Sequence, residues 1–185
     1  MNMFHKLSRH DHHGNNPMPN TWDNDGHYGV TPPLSKGNQN VSHLSPLELT
    51  DYGQRPLVIN IDQAAKHNQT YRTALWTGKY FQVTLMSIHV GEDIGLEIHP
   101  ATDQFIRIEE GQGLVQMGDR KDRLDFQVTA YKDYAIMIPA GTWHNVTNTG
   151  HIPLKLYVIY APPHHPYGTV HETKSIALSS EGESV

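Results

Sequence analysis

The sequence contains no cysteine, and this absence removes several kinds of chemistry at once. Without thiols the chain can form no disulfide, no thiolate metal site and no cysteine nucleophile. Any bound metal must therefore be held by histidine, carboxylate or amide groups, and the chain has 14 His and 19 Asp and Glu for that purpose. The lack of cysteine is also compatible with a reducing cytosol.

Basic clusters and long apolar runs are missing as well. The chain has 14 Lys and Arg against 19 Asp and Glu, which gives a formal net charge of -5. Nucleic-acid binding requires concentrated Lys and Arg, and no such cluster occurs. No run approaches the length of a membrane span, and the first residues lack the apolar core of a signal peptide. We therefore expect a soluble, cytoplasmic protein that binds neither nucleic acid nor membrane.

Residues 1–54 are poor in apolar side chains and rich in Asn, Gly, Pro, Asp and His. Such a segment cannot bury enough apolar surface to form a core, so we predict a flexible polar arm. Its histidines either bind metal adventitiously or belong to a plain polar tail. They are His5, His10, His12, His13, His27 and His43. The folded domain is expected at 55–174, and a disordered tail at 175–185.

Short strand-like runs separated by Gly and Pro follow the arm. The first is Leu57–Ile61, and a short helix capped by Asp62 is expected after it. A series of short strands of this kind is typical of an all-β barrel or sandwich. The remaining strands are predicted at Thr73–Trp76, Phe81–His89, Gly95–His99, Gln104–Glu109, Gly113–Met117, Leu124–Val128, Tyr134–Ile138, His144–Asn148 and Leu154–Tyr160.

Three potential metal ligands lie in or next to these strands. Glu97 and His99 are separated by a single residue, and side chains two apart on a strand point to the same face. A tight turn ends at Gly141, which is free to take positive φ, and leads into His144 on another strand. We therefore expect His144 to meet Glu97 and His99 at one metal site.

Two stretches of the chain resemble the metal-binding motifs of the cupin superfamily. The first family motif contains Gly, His-x-His, Glu and Gly, and the second contains Gly, Pro-x-Gly, His and Asn. The chain departs from them at Glu97, where the family usually has its first His, at Gln104, where it has Glu, and at Asp133, where it has Gly. The resemblance covers roughly residues 70–161. The matching positions are Gly91, Glu97, His99, Gln104 and Gly111, then Pro139, Gly141, His144 and Asn148.

The resemblance implies an all-β fold, a cupin jelly-roll β-barrel with an extended amino-terminal arm, and a divalent metal ion inside it. The implied ligands are Glu97, His99, Gln104 and His144. A carboxylate has moved from one ligand position to another, so the formal charge of the ligand set is unchanged. Two His and one carboxylate suit Fe(II), Mn(II), Ni(II) or Zn(II). Gln104 either fills the fourth position or leaves it to water, and Asp103 is the alternative fourth ligand.

Arg107, Trp143 and Tyr157 are the candidate substrate-binding residues. Arg107 is the charged residue of an otherwise apolar strand. If it faces the barrel interior, its planar guanidinium can clamp a carboxylate or phosphate; if it faces outward, it is an ordinary surface Arg. Trp143 and Tyr157 are expected in the core or the pocket wall. The sequence assigns no catalytic residue.

Three further histidines, His164, His165 and His171, follow the prolines that end the last strand. Pro fixes an extended course there, so this segment can lie across a barrel mouth. The three side chains then either contact substrate and supply an acid or base near neutral pH, or belong to a surface tail. The sequence leaves both alternatives open.

Small single-domain bacterial cupins that resemble the cupin-type phosphomannose isomerases are the group most similar to this pattern. The resemblance implies a small-molecule substrate and isomerisation of a sugar or sugar phosphate, in which a metal ion polarises a carbonyl. A non-haem iron dioxygenase is the alternative enzyme, because two His and one carboxylate can form a facial triad. A barrel that holds a metal or small ligand without turnover is the third alternative.

Sheet edges must be paired or covered to avoid aggregation. In the cupin superfamily the strand before the barrel commonly pairs with a partner subunit. The resemblance therefore implies a homodimer, with Leu57–Ile61 and Thr73–Trp76 as the segments that pair between subunits.

Overall fold

The computed structural model describes residues 48–182. The predicted arm therefore lies outside the described residues as far as residue 47. Neither helix in the described range is long and apolar enough to cross a membrane. In chain order the elements are α1 (Ile61–His67), β1 (Arg72–Thr77), β2 (Gln82–Ile88), β3 (Asp103–Glu110), β4 (Gln112–Gly118), β5 (Phe126–Tyr131), β6 (Ala135–Ile138), β7 (Trp143–Asn148), β8 (Leu154–Ala161), β9 (Val170–His171) and α2 (Lys174–Gly182).

Two antiparallel sheets enclose the main core. One has six strands in the order β6-β3-β8-β2-β1-β9, and the other has three in the order β5-β4-β7. Ile106 and Leu156 from the first sheet and Val146 from the second are fully buried in one apolar cluster. This arrangement confirms the predicted all-β jelly-roll barrel.

Side-chain alternation along β7 places two polar residues, His144 and Asn148, inside the barrel. The Asn148 amide donates hydrogen bonds to the carbonyls of Ile88 and Ile152, both at 2.9 Å. Buried polar groups require such partners, so the Asn at the end of the second motif joins β7 to the end of β2 and to the loop before β8.

The segment predicted as a strand at Gly95–His99 is not one. Its backbone makes an isolated bridge between Glu97 and His144 instead of a continuous ladder. Gly95 has a φ of 91°, a left-handed conformation that interrupts extended backbone. The consequence is a loop that meets β7 at a single residue pair.

The strand predicted at Leu57–Ile61 is also absent, because residues 57–60 are coil and Ile61 begins α1. The helix cap lies two residues before the predicted cap at Asp62. Asn60 is the N-cap, and its Oδ1 accepts a hydrogen bond from Gln63 N at 3.0 Å. Asn and Asp cap helices about equally well, so the residue types alone do not show whether Asn60 or Asp62 is the N-cap.

The second segment predicted to join two subunits, within β1, is paired inside the chain. β1 lies between β2 and β9. Farther along the same edge of β1, past the short β9, Tyr52 N donates a hydrogen bond to Leu75 O at 2.9 Å. These contacts cover the β1 edge that the predicted intersubunit sheet requires. The homodimer itself stays a prediction.

Both ends of the described range pack on the barrel. Asp51, which falls in the predicted arm, is buried and accepts from Gly53 N at 2.9 Å. Residues 175–182, which composition placed in a disordered tail, form most of α2. Thr173 Oγ1 accepts from Ile176 N at 3.3 Å at the start of this helix, and the buried Ala177 joins the main core. One small apolar residue anchors the helix, a signal too weak to predict it.

Asp133 is the one non-glycine residue with positive φ, 71°, in the described part of the chain. It stands where the second cupin motif usually has Gly, and its φ lies in the region that favours glycine. Asp is tolerated in the left-handed region better than most residues. Its carboxylate also accepts a hydrogen bond from Arg107 Nη2 at 2.8 Å.

Replacement of Asp133 by valine is expected to destabilise the fold more than replacement by glycine. Both variants lose the exposed contact with Arg107, so their comparison isolates the backbone. Because a β-branched side chain is strained at this φ, we expect Asp133→Val to unfold with a free energy about 1–2 kcal/mol lower than Asp133→Gly. Urea denaturation measures the difference, and equal midpoints and slopes for the two variants would contradict it.

Candidate metal centre

Backbone pairing explains why Glu97, His99 and His144 converge. Glu97 N donates to His144 O, and His144 N donates to Glu97 O, both at 3.0 Å. Residues paired in this way project their side chains to the same face. Gly141 N donates to His99 O at 2.9 Å, and Gly141 takes the predicted positive φ, 77°. The turn before β7 thus holds His99 beside the bridged pair.

The three side chains form a compact donor set. Glu97 Oε1 lies 3.2 Å from His99 Nε2 and 3.3 Å from His144 Nε2. The ligand atoms of the three residues all lie within 4.8 Å of one another. His144 is 1% exposed, and His99 is also buried. This Glu/His/His group is positioned to bind a metal ion.

The protonation of His144 fits a metal ligand. Its Nδ1 lies 2.9 Å from the carbonyl oxygen of Thr142, which can only accept, so Nδ1 carries the hydrogen. This leaves Nε2, 3.3 Å from Glu97 Oε1, as the ring atom available to a metal ion, the arrangement that metal-bound histidines have.

The inward nitrogens of His99 and His144 are buried and make no hydrogen bond to any residue that the structure describes. Buried polar atoms normally have partners. Two imidazole nitrogens and a carboxylate oxygen facing one point repel each other unless a proton or a cation lies among them. A divalent ion would satisfy all three atoms, so these residues fit the metal that the cupin motifs imply.

Glu97 is held in its charged form. Burial acts to raise its pKa, but the contacts with His144 and His99 outweigh burial and keep the pKa well below the usual range. The carboxylate is thus available as an anionic ligand at any physiological pH.

Alternation on β3 decides between the two predicted fourth ligands. Gln104 faces the interior, is buried, and its Oε1 makes no hydrogen bond within residues 48–182. It pairs with Tyr160 on β8, whose ring lies 5.7 Å from that of His99. Asp103 is exposed, and its Oδ1 accepts from Ala140 N at 2.8 Å. Asp103 therefore lies outside the site. Gln104 points into the barrel but does not line the cavity beside the donor set, so its part as the fourth ligand stays a prediction.

A cavity of about 410 Å³ opens beside the donor set. Its size lies within the ~300–1,000 Å³ typical of small-molecule sites. The His164 ring lies 4.1 Å from the ring of His99. Of the two alternatives that the sequence left open, the structure therefore favours a pocket wall over a surface tail. The polar residues that line the cavity are Glu97, His99, His164, His165, Thr169, His171 and Ser180.

The structure does not bring the three predicted substrate-binding residues into this cavity. Alternation turns each of them to the outer face of its strand. Arg107 pairs with Asp133, Trp143 lies under the Lys121 ammonium at 5.6 Å, and Tyr157 packs in the apolar cluster beneath α1. For Arg107, the turn before β3 kept the sequence from showing which way the side chain faces.

Sequence reasoning missed Gln82, Thr169 and Ser180, which contact or line the pocket region. Thr and Ser are too common for any local signal to single these two out. Gln82 acts on a segment 83 residues away in the chain, and no spacing rule connects residues so distant.

Comparison with known proteins agrees with this geometry. Residues 84–160 match the model of the Cupin domain family. The chain is 67% identical over 135 residues to uncharacterized protein YrkC of Bacillus subtilis, which covers 73% of each protein. It is 40% identical over 114 residues to an uncharacterized protein of Acanthamoeba polyphaga mimivirus, covering 61% of this chain and 69% of the other.

Among solved structures, BH2720 from Bacillus halodurans is 68% identical, with a TM-score of 0.70 over 70% of this chain and 98% of that one. With its motifs, its barrel and its relatives in agreement, the chain belongs to the cupin superfamily.

Proposed function

We propose that the protein is a metal-dependent enzyme that acts on a small polar substrate without a phosphate group, with isomerisation of a free sugar as its reaction. One observation carries the proposal: the buried Nε2 atoms of His99 and His144 converge on the Glu97 carboxylate beside a cavity lined by further histidines. The resemblance to cupin-type phosphomannose isomerases suggests the reaction class.

The charges around the cavity argue against a phosphorylated substrate. No Lys or Arg is among the described residues that line it, and phosphate is usually clamped by such groups. Arg107 pairs with Asp133 on the outer face. Lys155 is buried and donates to the carbonyl of Asn68. A sugar offers hydroxyl and carbonyl groups instead, which match imidazole and hydroxyl partners.

The site indicates what the metal ion and the protein would each contribute to the reaction. A bound divalent ion would supply Lewis-acid polarisation of a carbonyl and its neighbouring hydroxyl. The chain holds that ion through Glu97, His99 and His144 and encloses the substrate between the barrel and the carboxy-terminal segment. His164 places its imidazole ring in the cavity wall, 4.1 Å from the ring of His99, where it can take a proton from one carbon and return it to the next.

A non-haem iron dioxygenase is the second candidate. The donor set itself favours it, because two histidines and one carboxylate with open positions form the facial triad of such oxygenases. This reading predicts oxygen uptake, which an isomerase does not show.

Turnover of simple sugars by the metal-loaded full chain is the expected result. The protein is loaded with Fe(II), Mn(II), Ni(II) or Zn(II) and incubated with dihydroxyacetone, D-ribulose and D-fructose, while NMR follows aldose and ketose and an electrode follows oxygen. We expect interconversion with at least one metal, lost in Glu97→Gln and retained in His151→Ala, which changes an exposed histidine. Oxygen uptake with Fe(II) alone would favour the dioxygenase, and no reaction at all would leave a binding barrel.

A further inference from the structure

Residues 162–169, which we call the strap, follow β8 and form one wall of the cavity. The strap carries His164 and His165 into contact with the barrel interior. The rings of both histidines lie against Tyr160, at centroid distances of 5.6 Å and 5.0 Å. Because the strap is packed against the barrel, the contacts that hold it also fix the positions of its two imidazole rings.

A buried glutamine side chain is hydrogen bonded to the strap at His165. Gln82 Nε2 donates to His165 O at 2.9 Å, and His165 N donates to Gln82 Oε1 at 3.0 Å. The side-chain amide thus pairs with the His165 backbone as one strand residue pairs with another. Gln82 is 0% exposed, so water does not compete for either bond.

A second buried residue, Asp51, holds the far end of the strap. Its Oδ2 accepts from Gly168 N at 3.0 Å, and its backbone carbonyl accepts from Tyr167 Oη at 2.9 Å. Thr77 links Gln82 to Asp51. Its Oγ1 donates a hydrogen bond to Asp51 at 2.6 Å and accepts one from Gln82 Nε2 at 2.9 Å. The strap is therefore fixed to the barrel by one continuous polar network.

This network ends at a polar atom with no partner. His165 is 8% exposed, its ring lines the cavity, and its Nε2 makes no hydrogen bond to the described residues. A native fold seldom leaves such an atom unsatisfied, because the lost hydration is not replaced. Burial, and next the charge of Arg72, lower the pKa of His165 to about 2, so the ring is neutral. A neutral imidazole nitrogen can donate or accept, as a hydroxyl or carbonyl oxygen requires.

We propose that His165 binds the substrate through Nε2, by a hydrogen bond to a hydroxyl or carbonyl oxygen, and that Gln82 is the positioning residue that holds His165 at the cavity wall. The inference rests on the proposed function for the class of ligand, a small hydroxy-carbonyl compound. It adds a specific contact on the side of the cavity formed by the strap.

Calorimetric titration of sugars into the Zn(II)-loaded full chain tests the proposal. The probes are dihydroxyacetone, D-ribulose and D-fructose. His165→Phe keeps a ring of similar size without the nitrogen, and Gln82→Met keeps the length of the side chain without either hydrogen bond. Gln82→Glu retains the acceptor for His165 N–H, and His151→Phe is the matched control on the surface. Zinc affinity and the thermal midpoint are measured for every variant.

For at least one sugar we expect about tenfold or weaker binding in His165→Phe and Gln82→Met, as for a lost hydrogen bond to a buried group. Gln82→Glu should recover part of the loss, whereas zinc affinity should not change in any variant. Unchanged sugar affinity in His165→Phe overturns the proposal and leaves the proposed function standing. No sugar binding to the wild-type protein overturns both. Sugar binding that depends on His165 but proceeds without turnover supports the proposal and overturns the isomerase alone.

Discussion

His144→Ala is expected to lose tight binding of divalent metal, with an affinity more than about 100-fold below that of the wild type. The wild-type ring has its Nδ1 hydrogen bonded to Thr142 and its Nε2 aimed at Glu97. Alanine removes one of three strong donors and opens the buried site to water. Zinc titration by calorimetry, with elemental analysis after dialysis, measures the loss.

His151→Ala is the control for this experiment. It also removes one histidine, but an exposed one, so the background from other histidines is the same in both variants. We expect it to bind zinc as the wild type does. Equal zinc retention by His144→Ala and His151→Ala would contradict the assignment of the site.

Acidification is expected to destabilise the wild-type protein more steeply than His165→Phe. Burial, and then the charge of Arg72, lower the pKa of His165 to about 2 in the folded state, against ~6.5 in the unfolded chain. Between these values the unfolded state binds one more proton than the native state. The free energy of unfolding must therefore fall as pH falls, by up to about 1.4 kcal/mol per pH unit from this residue.

Urea denaturation between pH 7 and pH 5 measures the contribution of His165 to the pH dependence of the free energy of unfolding. The lowered pKa of Glu97 acts in the same direction, but only below the ~4.3 at which an unfolded Glu titrates. The slope of stability against pH should be smaller in His165→Phe by the amount due to one proton, and unchanged in His151→Phe. Parallel slopes for the wild type and His165→Phe would show that folding does not lower the pKa of His165.

The fold was predictable because it follows from local periodicity, and the turn at Gly141 gave His144 its direction. Glu97 and His99 meet His144 as expected, but on a loop and not on the predicted strand: a backbone bridge holds Glu97 to His144, and Gly141 N holds His99. The departures from the family pattern were also informative. Asp133 takes a positive φ, a conformation that favours glycine, and Glu97 keeps a carboxylate in the ligand set.

The remaining features depend on contacts between distant segments. The side toward which Arg107 points depends on the turn before β3, which changes strand parity without changing composition. The strap at His165 is held by Gln82, 83 residues away in the chain. In the sequence, Gln82 looks like any polar residue at the end of a strand. Its partner can therefore be identified only from the fold.

Anomalous diffraction from crystals of the full chain grown with Zn(II) or Mn(II) tests the central claim most directly. We expect a single strong peak in the barrel, within about 2.0–2.3 Å of Nε2 of His99, Nε2 of His144 and a carboxylate oxygen of Glu97. A well-ordered barrel with no anomalous peak among these three side chains, at a metal concentration that fills other sites, would contradict it.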